Sequence, residues 1–247
     1  MSLPLPSPRR PRRRRPVLLA AAAAALAAVL AAVLLYRPAP GQAPGQPPPR
    51  QPNKEGRVPA RAPGTPGPGT VSTAGWHGVT LDGAVLPASA RAGPLRGPWP
   101  LASGFADTPA GAVLAAVNVA VRASGQLGPA IFTATISAQV TGPGAGALLA
   151  AARQDYAQAS VLHPPARPGG PAGVASASPR AFRLLSFTPA AAAVEVLATA
   201  GGQAAAVRLQ VRWLDSDWRL VAPAGGNLAA VAVRPAGLSG YQLLPGR

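Results

Sequence analysis

Residues 17–36 form one uncharged apolar run, and no other feature restricts the folds open to this chain as strongly. The run holds ten Ala, six Leu and three Val, and it closes on Tyr36. A helix of that length, at about 1.5 Å per residue, extends about 30 Å and matches the hydrocarbon thickness of a bilayer. Ala contributes little, but the Leu and Val side chains supply about −3 to −5 kcal/mol of insertion free energy. The segment therefore reads as a transmembrane helix. Arg9, Arg10, Arg12, Arg13, Arg14 and Arg15 precede it, whereas only Arg37 follows closely. By the positive-inside rule, residues 1–16 form a basic cytoplasmic tail and everything after Tyr36 lies outside the cell membrane. The same arginines suit anionic lipid headgroups, at about 1 kcal/mol each. A cleaved signal peptide is the competing reading. It is disfavoured because its apolar region usually spans about 7–15 residues, and because Ala39-Pro40-Gly41 is a poor cleavage site.

Residues 37–75 carry 11 Pro and 7 Gly without apolar periodicity. Such a stretch cannot bury enough surface to offset its chain entropy, so it is expected to be a disordered or polyproline II linker. Extended at about 3.1 Å per residue, it reaches about 120 Å. Of the formal net charge of +16, residues 1–75 supply +10 and residues 76–247 supply +6. Much of the basicity thus sits in the tail and linker, and direct nucleic-acid contact is not expected. The chain has no Cys and only two His, which excludes disulfides, a thiol nucleophile and cysteine-ligated metal. It also lacks a GxxxxGK[ST] loop to cradle phosphates. No cofactor, metal site or catalytic residue is expected.

From Trp76 to the end, periodic patterns replace the Pro-rich composition and predict one extracytoplasmic domain, residues 76–247. Trp76 to Leu81 reads as a short extended piece followed by Pro- and Gly-rich chain through Pro100. Thr108 is a good N-cap and Pro109 suits the first helical position, so residues 109–122 are expected to form an amphipathic helix. Residues 129–140 read as helix or a short extended piece. Residues 145–158 read as a helix with Leu148, Leu149, Ala152 and Tyr156 along one side. Then Leu162 to Pro179 forms a loop, and the pattern switches to period two. Phe182 to Phe187, Val194 to Val196 and Val207 to Trp213 predict strands, and Trp218 to Val221 returns as a hairpin partner. Helices first and three or four antiparallel strands after them give an α+β domain, because the sheet must bury its apolar face on those helices. A curved sheet wrapped around helices matches the cystatin-like, nuclear-transport-factor-like cone.

Candidate polar groups are few. Asp107, Asp155, Glu195, His77 and His163 are the ones that could face a cavity. Asp107 has the position of a helix-start residue. Asp215 and Asp217 resemble a catalytic pair but lie at a hairpin, where Asp is favoured for local backbone hydrogen bonds. Trp213 and Trp218 flank that hairpin and are expected to pack on the helices rather than stack on a sugar. Arg208, Arg212 and Arg219 share a sheet region that reads as a solvated face.

Several segments carry a resemblance: Trp76-x-Gly78-Val79-x-Leu81, Ala92-Gly93-Pro94, Gly104-Phe105-Ala106-x-Thr108-Pro109-x-Gly111-Ala112, and Val211-x-Trp213-x-x-x-Asp217-Trp218-Arg219. With the anchor, they resemble an actinobacterial family of single-pass membrane proteins often found with integrative and conjugative elements. The resemblance covers about residues 76–245 and is most specific over 104–117; Asp107 stands where that family often has His. More distantly, the chain resembles assembly components of type IV secretion and conjugation machines, whose external cystatin-like domain makes protein contacts. The resemblance implies a membrane-anchored, non-enzymatic assembly protein whose partners are other envelope or conjugation proteins, or further copies of itself. A small-ligand-binding cone is the alternative, and an enzyme a weaker one.

Overall fold

A computed structural model describes residues 69–246, except 98, 173–177, 201–202, 229–231, 234 and 236. The basic tail, the apolar run and the linker up to residue 68 lie outside the described residues. Among the described residues, no helix is long and apolar enough to cross a membrane.

Two strands, β1 (Trp76–Leu81) and β2 (Ala84–Ser89), form an antiparallel hairpin. Its turn is Asp82-Gly83, with φ of +45° and +89°. This left-handed pair follows the right-handed twist of the flanking strands, and Asp-Gly adopts it readily. β2 forms where the Pro- and Gly-rich composition predicts loop. The Asp-Gly pair between two apolar stretches was the signal that could have revealed it.

Helix α1 (Pro109–Ala123) starts where expected: Thr108 Oγ1 accepts a hydrogen bond from the Gly111 amide at 3.1 Å, and Pro109 occupies the first turn. The expected amphipathic pattern is corrected, because every residue from Gly111 to Val119 is buried. The sheet covers one side of α1, the β1–β2 hairpin another and the next helix a third, so no stripe is left for water. Helix α2 (Pro129–Gln139) runs directly into β3 (Val140–Thr141). Helix α3 (Ala145–Leu162) buries Leu148 and Ala152, with Leu149 and Tyr156 half-buried beside them, the side anticipated from spacing.

The sheet follows as an antiparallel meander of β4 (Ser178–Thr188), β5 (Ala191–Ala200), β6 (Gln203–Leu214) and β7 (Asp217–Val221). β3 adds to β7 in parallel, β8 (Ala232–Val233) pairs with the start of β6, and β9 (Gln242–Leu243) covers the edge of β4. Irregularities in β4 near Pro179 and Leu184 bend the strand. The result is an α+β domain with three helices and a curved sheet. Phe182, Leu184, Val194, Val196, Leu209, Val211 and Leu220 face Val113, Leu114 and Val117 of α1. Each of these buried apolar side chains stabilises the fold by about 1.5–3 kcal/mol relative to exposure.

The chain joins this core earlier than the sequence boundary at residue 76. Val71 is buried, and its amide and carbonyl are both held by the Gln242 side chain, at 2.8 and 2.6 Å.

A Cβ on Gly111 would run into the carbonyl oxygen of Ala106, which folds over the first turn of α1. Gly111→Ala is therefore expected to destabilise the domain by about 2–3 kcal/mol through overpacking. The measurement is the shift in urea midpoint; a midpoint within error of wild type would show that the loop yields freely.

Candidate functional site

Two arrangements gather the polar residues. The first joins the loop before α1 to the start of β7. The Asp217 carboxylate accepts hydrogen bonds from the amides of Gly104 (2.8 Å), Phe105 (3.2 Å) and Trp218 (2.9 Å). The neighbouring Trp218 is fully buried, and its Nε1 donates to the Ala106 carbonyl at 2.9 Å. Trp213 meets the Trp218 ring edge-on at 5.3 Å between centroids, and Phe187 lies at 6.0 Å. Gly93, at φ +98°, completes the junction: a Cβ there would lie 2.7 Å from the Gly104 carbonyl oxygen.

The expectation for Asp217 is met by the local bond from the Trp218 amide and extended by two that are not local. Those two reach residues 112 and 113 positions away, because β7 begins at Asp217 and presents its carboxylate to the incoming loop. Asp215 keeps the turn role, with Ser216, at φ of +52° and +60°. Its carboxylate pairs with Arg219 at 3.4 Å in an exposed contact. Trp218 packs into the core with α1, as anticipated, and Trp213 lies half-buried against it.

The second arrangement lies on the face of the sheet opposite α1. Val194 and Val196 point into the core, so Glu195 between them points out, and yet its side chain is only 2% exposed. Its cover is built from three sides. Arg183 on β4 and Arg208 on β6 are its cross-strand neighbours, and they bind it at 2.6 and 2.8 Å. The Tyr241 hydroxyl donates to the same carboxylate at 2.6 Å, and the Arg183 guanidinium lies 5.0 Å from the centre of the Tyr241 ring. Burial by itself would raise the Glu195 carboxyl. The hydrogen bonds from Arg208, Tyr241 and Arg183, with the Arg183 charge, outweigh it and hold the group below its ordinary value. Burial and the adjacent carboxylate push Tyr241 up to about 12, so its hydroxyl remains a donor at neutral pH. Arg212 and Arg219 are cross-strand partners further along the sheet, with Arg212 exposed; Arg208 is exposed as expected of a solvated face and also binds Glu195.

The remaining candidates stand on separate elements. His77 is exposed on β1, and Asp107 is exposed ahead of the α1 cap. Asp155 is on α3, its carboxyl pushed up by desolvation. His163 ends α3, where its backbone amide bonds the Ala159 carbonyl. No group of three or more His, Asp or Glu that could hold a metal occurs among the described residues.

Sequence reasoning missed one buried polar pair inside α1. Asn118 Nδ2 donates to the Pro87 and Leu114 carbonyls (2.8 and 2.9 Å), and its Oδ1 accepts from Arg122 at 2.7 Å. Burial lowers the Arg122 guanidinium to about 10. Two polar residues four apart in an Ala- and Val-rich helix were the available signal. The pair fastens α1 to the β2 strand.

Against known proteins, a family model described as Domain of unknown function (DUF8175) matches residues 38–242. No curated protein and no solved structure matches.

Three variants test these assignments. Asp217→Ala removes three acceptor contacts and is expected to cost about 2–3 kcal/mol, read as a lowered urea midpoint. Glu195→Gln keeps the shape but loses the charge that both arginines face. Because the folded carboxyl titrates below its unfolded value, its stabilisation is complete at neutral pH and disappears as pH falls through the folded value. The stability gap between wild type and Glu195→Gln should therefore be widest near neutrality and close in acid; a gap independent of pH would contradict the assignment. Tyr241→Phe should cost about 1.5–2 kcal/mol at neutral pH by the same assay.

Proposed function

The chain belongs to this DUF8175 family, and from that premise we propose that it is a membrane-anchored, non-enzymatic assembly protein of the cell envelope. The uncharged run at 17–36 and the arginines before it support a single-pass anchor with a cytoplasmic N-terminus and an extracytoplasmic domain. The resemblance of residues 76–245 to the actinobacterial conjugation-associated family points to a DNA-transfer apparatus as the assembly served. The curved sheet around a central helix supports the cystatin-like, nuclear-transport-factor-like form of the domain.

One observation carries the choice of an interaction role over catalysis. The most specific segment of the resemblance meets another that carries it, and both are spent on holding the fold together. Residues 104–106 dock on Asp217 and Trp218, and Thr108, Pro109 and Gly111 start α1. The concave side of the sheet is filled by α1, and Glu195 is engaged by two arginines and a tyrosine on the opposite side.

The test is crosslinking in cells of the tagged full-length chain beside a version ending at residue 68. Envelope or DNA-transfer proteins should crosslink to the full chain and be lost from the shortened one. Purification of the domain with a bound small molecule and no protein partner would instead select the ligand-binding cone.

A further inference from the structure

The loop between β2 and α1 leaves the fold as a finger whose base is tightly held. At its base, Ser89 and Gly93 exchange backbone hydrogen bonds of 2.9 Å, Ala106 donates to Ala92 at 3.1 Å, and Leu95 and Arg96 pair with Ser103 at 3.0–3.2 Å. Asp217 holds the returning strand at Gly104 and Phe105. What this rigid base presents is apolar and basic. Leu95 is 63% exposed, Trp99 is 51% exposed, and Arg96 between them is exposed. Leu214, 40% exposed, pairs in register with Asp217 and so sits beside the finger's base. Residues 93–104 contain no Asp or Glu.

We propose that this finger docks on the interface of an anionic bilayer, with Trp99 and Leu95 entering the headgroup region and Arg96 meeting lipid phosphate. Trp is favoured at the headgroup level, and a neighbouring Arg adds attraction to anionic lipid. The placement of the chain's arrival supports the lipid surface. A groove of about 310 Å³ is lined by Thr70, Val71 and Ser72 together with Arg91 and Ala92, so the incoming chain joins the domain beside the finger's base. Between Tyr36 and Val71 lie 34 residues. At the polyproline II rise those residues reach about 105 Å, so the domain can meet its own membrane anywhere within that radius. Magnitude also favours lipid over a protein partner. Two exposed side chains fall far short of the roughly 800 Å² per partner that a stable protein interface buries. A weak surface contact is sufficient when a tether confines the domain near that surface. The inference rests on the anchored reading of residues 17–36.

The experiment reconstitutes the full-length chain into vesicles of phosphatidylcholine, with and without phosphatidylglycerol, containing lipids brominated along the acyl chain. Two readouts are taken: flotation with the vesicles, and quenching of Trp emission. Expected are flotation, quenching that is stronger on anionic vesicles, and loss of that quenching in Trp99→Phe and in Leu95→Glu, which keeps Trp99 in place. The other tryptophans are buried or half-buried, so the difference from Trp99→Phe isolates the finger. Flotation without Trp99 quenching would overturn the finger proposal and leave the anchor standing. Failure to float would overturn both. Because the chain has no Cys, Leu95→Cys adds a single thiol; disulfide-linked dimers with Trp99 unquenched would identify a second copy as the occupant and overturn the lipid assignment.

Discussion

The loop that leads into α1 is positioned by the contact between residues 104–106 and the first two residues of β7. Asp217 satisfies two loop amides that would otherwise be stranded beside the core, and Trp218 does the same for the Ala106 carbonyl while filling the space beneath α1. Backbone groups at such a boundary must find partners, because leaving one buried and unpaired costs about 1–3 kcal/mol. With the loop fixed, Thr108 and Pro109 are placed to begin α1, and α1 in turn is placed to fill the curved sheet. The projecting finger depends on the same anchorage, since its rigidity comes from its base.

The opposite face of the sheet is governed by a single buried carboxylate. Glu195 cannot be left alone away from water, and Arg183 and Arg208 reach it because β4 and β6 flank β5 in register. Tyr241 closes the site and brings with it the end of the chain, so that Gln242 grips Val71 and the Leu244 amide bonds the Arg180 carbonyl. The two ends of the described residues are thereby tied together at one edge of the sheet. Both arginines remain partly solvated, at 33% and 59% exposure, which moderates the desolvation cost of the cluster.

Local chemistry was legible where one residue type has one physical use. Thr108-Pro109 marks a helix start, apolar residues at odd positions of 207–213 mark a half-covered strand, and Asp215-Ser216 marks a tight turn. Asp82-Gly83 belongs to the same class and could have been read as a hairpin. Asp217 and Glu195 were not legible in this way. A carboxylate beside a turn and a carboxylate between two valines look the same whether they face water, a substrate or a distant amide.

The sequence by itself determined the starts of α1 and α3, the run of strands from β4 to β7, the α+β class, the apolar run with its arginine flank, and the faces of α3 and β6. These follow from periodicity and charge, which act over a few residues. Only the tertiary structure decided that α1 is buried all round, that residue 71 already belongs to the core, and that Asp217, Glu195 and Tyr241 bind partners far along the chain. Those outcomes depend on which surfaces come to face each other once the sheet curves around α1, and no window of sequence contains that distance.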